Sequence, residues 1–196
     1  MPPRLMTSGL LAALLVAAAP ARAAPFAYIT NQGSHDVSVI DLASQQVVAT
    51  VPVGRSPAGV VASSRAGKVF ISNPDSKTIS VIDMRSQKVV ATLPAGDGPV
   101  GIDASPDGSQ LFAADWFKDR LLVIDTAKYE VQAAIAVGKA PAGVASADDG
   151  NTVFVAERDD DAVAVLDAKT GNPLGVVATG QNSRGFGAFI GAPIDP

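Results

Sequence analysis

Four position classes recur along this chain every 42 residues. Tyr28, Phe70, Phe112 and Phe154 form one class, and Asp41, Asp83, Asp125 and Asp167 a second. Gly54, Gly96, Gly138 and Gly180 form a third, and Gly59, Gly101, Gly143 and Gly185 a fourth. All four keep one register without an insertion, so the fold is a repeated supersecondary unit. A period of about 40–45 residues fits either propeller blades or stacked helix pairs.

Residue types decide between the two. In the second unit, Gly59–Ser63, Lys68–Asn73, Thr78–Asp83 and Lys88–Leu93 are short β-branched or alternating runs. Turn-type residues separate them, as at Arg65-Ala66-Gly67 and Asn73-Pro74-Asp75-Ser76. No long window shows a 3.6-residue apolar face, so each unit reads as four short strands. The third and fourth units match, with inner strands at Gly101–Ala104 and Gly143–Ser146. The chain is therefore expected to be all-β, a propeller of four four-stranded blades.

The phase at the two ends is complementary. After the leader, the chain opens on a second-type strand at Ala27–Asn31 and closes on a first-type strand at Gly185–Ile190. That last strand is expected to complete the first blade and so remove an open edge. Two alternatives stay open: half of an eight-blade ring shared by two chains, or an open partial propeller.

Ala27-Tyr28-Ile29-Thr30-Asn31 and Val69-Phe70-Ile71-Ser72-Asn73 resemble the motif of the YVTN β-propeller repeat family. So do the Ser105-Pro106-Asp107-Gly108 turn, the Val81-Ile82-Asp83 strand end and the finish at Phe186–Gly191. Asp115 and Glu157 depart from the pattern, standing where asparagine is expected. The resemblance implies bacterial export and a binding or scaffold role, without a shared catalytic constellation.

Residues 1–23 read as a secretory leader: Arg4, the apolar run Leu10–Ala19, then Ala21-Arg22-Ala23 as the cleavage site. The run is shorter than the roughly 18 apolar residues of a membrane span. Residues 24–196 are then one domain, periplasmic or secreted. Cysteine is absent, which excludes disulfides and thiolate chemistry. The apolar core must carry stability, and 47% hydrophobic residues make that feasible. Net charge is −4, and becomes −6 once Arg4 and Arg22 leave. That balance does not favour nucleic acid as a partner, because phosphate binding needs clustered cations.

Loops between the second and third strands of each unit, and between successive units, emerge on one face and vary in sequence. Variable loops on a rigid scaffold carry recognition. Trp116 and Phe117, adjacent between charges, are the strongest candidates for contact with a protein, peptide or small ligand. Lys118, Arg120, Arg55, Lys139, Arg184 and His35 share that face. The alternative for the aromatic pair is a role in the core. Glu157, Asp159, Asp160 and Asp161 are weak candidates for a hard cation; a solvated acidic loop is the simpler reading.

His35 is the only histidine, and no G-x-S-x-G or phosphate-loop motif accompanies it. The periodic aspartates read as turn locks. No cofactor is implied, and the chain is expected not to be an enzyme. Two further readings are a lactonase-like hydrolase using a central metal or His35, and an accessory protein of quinoprotein metabolism. Either a monomer or a homodimer is compatible with the repeats.

Overall fold

Alternating apolar residues in short runs give antiparallel meanders, each sheet formed from neighbours in sequence. The computed structural model describes residues 25–187 and 189–190; residues 1–23, expected to be a leader, lie outside them. The first sheet holds β1 (Phe26–Asn31), β2 (Asp36–Asp41) and β3 (Gln46–Pro52). The second holds β4 (Val60–Ser63), β5 (Lys68–Asn73), β6 (Thr78–Asp83) and β7 (Lys88–Pro94). The third holds β8 (Pro99–Ala104), β9 (Gln110–Asp115), β10 (Arg120–Asp125) and β11 (Glu130–Ala136). The fourth holds β12 (Pro141–Ser146), β13 (Thr152–Glu157), β14 (Ala162–Asp167) and β15 (Pro173–Ala178). Within each sheet the strands run in sequence order from the inner to the outer edge. This is the all-β propeller fold read from the repeats.

The core lies between blades. Tyr28, Val37 and Val39 pack on Val69, Ile71 and Ile82. Phe70, Ile79 and Val81 pack on Leu111, Ala113 and Ile124. Phe112, Leu121 and Val123 pack on Val153, Val155 and Leu166. The periodic aromatic thus fills the gap to the following blade. Burying such a ring stabilises by about 1.5–3 kcal/mol, which explains why the middle strands of an inner blade are apolar on both faces.

Two other classes have backbone causes. Asp125 Oδ1 accepts the amides of Ala127 and Lys128 at 2.8 Å each, and Asp41, Asp83 and Asp167 do the same in their turns. These bonds favour the carboxylate. The Lys68 ammonium and then the Ser86 amide hold Asp83 well below the usual carboxylate range, and backbone amides lower Asp41, Asp125 and Asp167. The glycines of the inner strands answer a close approach: a Cβ on Gly59 would collide with the Val100 carbonyl, and one on Gly101 with that of Ala142.

One expected feature differs. Among the described residues the first sheet has three strands with β1 at its inner edge, and Gly185–Gly187 carry no strand. Ala188 of the anticipated strand lies outside the described residues. The Gly185 carbonyl abuts Gly143, within one residue of the place that Val100 and Ala142 take against Gly59 and Gly101. The blade-to-blade step therefore carries this segment past the fourth blade. Strand pairing needs edges about 4.8 Å apart, and among the described residues β1 pairs with β2 and makes no backbone hydrogen bond to Gly185–Gly187. The inner strands surround a cavity of about 600 Å³ whose wall includes Thr30, Gly59, Gly101, Val144 and Gly185.

Candidate binding face

The loop face is built by one repeated bracket. Where the second strand of a unit ends, three residues form a 3-10 turn in the last three units: Pro74–Ser76, Trp116–Lys118 and Arg158–Asp160. A left-handed residue closes the loop in every unit, at His35, Lys77, Asp119 and Asp161. Three of these side chains accept an amide from the loop 21 residues on. His35 Nδ1 takes Ser56 at 3.1 Å, Asp119 takes Ala140 at 3.0 Å and Asp161 takes Asn182 at 2.5 Å. Lys77 instead pairs with Asp97. His35 is thus one case of a repeated loop tie, and Asp36 beside it is bonded by Asn31 at 2.7 Å.

The second tie uses the buried end of the second strand. Asp115 is fully buried; its Oδ1 accepts the Asp97 and Gly98 amides at 2.8 and 2.9 Å, and Arg120 Nε donates to Oδ2 at 2.8 Å. Glu157 Oε1 accepts the Gly138 amide at 2.6 Å. The departures from asparagine at these positions are acceptors for loop amides. Gly96, with φ of 76°, has no room for a Cβ against Asp115. Arg120 is committed to this tie.

The acidic loop does not converge. Glu157 holds Gly138, Asp159 pairs with Arg158 at 2.5 Å, Asp160 accepts the Lys139 amide at 2.7 Å and Asp161 holds Asn182. Among the described residues no three such groups are arranged around a metal position.

What projects outward is aromatic and cationic. Phe117 is 69% exposed and its ring lies over Gly98. Trp116 is half-buried, with the Arg158 guanidinium 5.8 Å and the Arg184 guanidinium 5.9 Å from its ring centre, within cation–π range. Arg158 Nε is buried without a hydrogen-bond partner among the described residues. Lys118 reaches Asp97 at 3.6 Å, and Lys77 with Lys118 lowers the Asp97 carboxyl, Lys77 first. Arg55 donates to the Asp75 carbonyl at 3.0 Å, and Lys139 is exposed. The structure therefore gathers Trp116, Arg158 and Arg184. Arg158 escaped the sequence reading because it lies in an acidic run; its 42-residue spacing from Trp116 was the available signal.

Residues 61–152 match the family model described as YNCE-like β-propeller. No curated protein matches. Among solved structures, hydrazine synthase of Kuenenia stuttgartiensis is similar at 25% identity and a TM-score of 0.73, over 76% of this chain and 45% of that one. The dihydro-heme d1 dehydrogenase NirN in complex with DHE is similar at 20% identity and a TM-score of 0.65, over 80% of this chain and 35% of that one. The chain spans less than half the length of either. Both are named as enzymes, which overturns the expectation that the chain is not an enzyme as far as its fold relatives go: they are enzymes. No helix among the described residues is long and apolar enough to cross a membrane. Repeat motifs, blades and matches agree, and the chain is a YVTN-like β-propeller.

Proposed function

We propose that this chain is the recognition module of an exported propeller enzyme system, holding an anionic group at Trp116, Arg158 and Arg184 on its loop face. One observation carries the reading: two guanidiniums flank one ring, and Arg158, whose Nη1 pairs with Asp159, keeps a buried Nε with no acceptor among the described residues. A buried unpartnered donor is costly, and a carboxylate or phosphate satisfies it with a charge-assisted bond. Exposed Phe117 supplies apolar contact beside it. Export follows from the leader, with residues 24–196 as a single periplasmic or secreted domain of four repeats. The two enzymes named above make an enzyme setting the natural one for this fold; the ligand class rests on the site.

Trp116 is the only tryptophan, so its fluorescence reports the site directly. Titration with inorganic phosphate and with a short polyglutamate peptide should give a saturable change, and the stronger response identifies the source of the anion. Arg184→Ala should lose it while circular dichroism stays the same. Equal saturation in Arg184→Ala, or no response to either probe in the folded protein, would reject the assignment.

A further inference from the structure

The two ends of the blade array present the two halves of an interface that the chain already uses three times. On the second blade, Ile71 and Ile82 receive the first blade. Their counterparts on the first blade, Ile29 and Ile40, join no core cluster among the described residues, and Ile29 is 48% exposed. On the third blade, Phe112, Leu121 and Val123 seal against the fourth. Their counterparts Phe154, Val163 and Val165 are only partly buried. A second observation agrees. Gly54, Gly96 and Gly138 are packed on Asn73, Asp115 and Glu157, whereas Gly180 has nothing within 4 Å. The residue that continues this series is an Asn31.

We infer that two copies of this chain close head to tail into a single two-fold ring of eight blades. The segment around Gly185–Gly187 of each copy then supplies the inner strand that the partner's first blade lacks. That segment already sits one step beyond the fourth blade, against Gly143. The first sheet has an open inner edge at β1. The occupant follows from the repeat: the surface that fits an exit face is an entry face, and every copy carries one of each. Head-to-tail interfaces close into a ring when the rotations complete a turn. Closure within one chain is disfavoured because, among the described residues, segment and β1 face the same cavity without a backbone hydrogen bond between them, and Ile29 stays exposed.

The repeats also set the register. Val60 pairs with Ile71, Ile102 with Ala113 and Val144 with Val155. The next step places Phe186, 62% exposed, opposite Ile29 of the partner copy. Opposed residues in antiparallel strands lie about 4.5–5.5 Å apart, a spacing a disulfide spans. The chain has no cysteine, so engineered ones stand alone.

The exported protein should scatter light with the mass of a dimer. Ile29→Cys and Phe186→Cys proteins, prepared separately, mixed and oxidised, should give a covalent dimer that neither yields alone. Ile29→Lys should give a folded monomer, while Val48→Lys, on an exposed outer strand, should stay dimeric. A monomeric mass for the wild-type protein overturns the inference. So does a disulfide formed inside one chain of the Ile29→Cys/Phe186→Cys double variant, or a dimer that survives Ile29→Lys.

Discussion

The first and third blades are built from the same repeat and end in different environments. β9 is flanked by β8 and β10 and lies between two neighbouring blades, so Ala113 is inaccessible. β1 has the same position and pattern, yet Ile29 is half exposed, because among the described residues no strand pairs with the inner edge of β1. Asn31 is partly exposed where Asp115 is sealed. Burial in a repeat array thus belongs to the neighbours as much as to the unit, as a nearest-neighbour account requires.

Substitutions can break this contrast. Phe112→Ala removes a ring fully enclosed between blades and should cost about 3–5 kcal/mol in urea unfolding, at any protein concentration. Ile29→Ala should cost under about 1 kcal/mol in the dilute monomer, rising with concentration as mass action recruits a second copy. An equal, concentration-independent cost at both sites would remove the distinction. Arg120→Ala leaves the buried Asp115 carboxylate without its ion partner and should lower stability by about 1–3 kcal/mol. The matched test is Arg184→Ala, which should leave the melting temperature unchanged and alter only Trp116 emission and anion binding.

The smallest effect sharpens what all four blades share. Asp41, Asp83, Asp125 and Asp167 have folded-state values lowered by amide and lysine donors. Their contribution is complete above the unfolded carboxylate value near 3.9 and is lost as pH falls through the folded values. The melting temperature should therefore drop below about pH 4, and Asp125→Asn should reduce that slope. A slope unchanged by Asp125→Asn would show that the turn lock carries no linkage.

Much of the fold was legible because strand alternation and turn chemistry are local. β5 and β6 fall where the sequence puts them, and the aspartates lock their turns as read. The pairing of Gly185–Ile190 was not legible, because periodicity gives the phase of a segment and not which blade edge it reaches. The site was read in part. Trp116, Phe117 and Arg184 do share one face, but Arg120 is spent on Asp115 and His35 on Ser56. One tie spans a single loop and the other joins two loops 21 residues apart, and residue identity alone does not distinguish a side chain turned inward from one turned outward. Arg158 gave no local signal, since its partner ring lies one full repeat away.

Amide exchange at Thr30 tests the account most directly. Its counterpart Ser72 donates its amide to the carbonyl of Gly59, just before the inner strand β4, at 3.0 Å, and Thr30 has the same position in β1 with no such strand beside it among the described residues. Ser72 should be protected at every concentration, while Thr30 should exchange fast in the dilute monomer and become protected as copies associate. Protection of Thr30 equal to that of Ser72 at all dilutions would mean that the chain supplies this strand to itself, and the account of its open ends would be wrong.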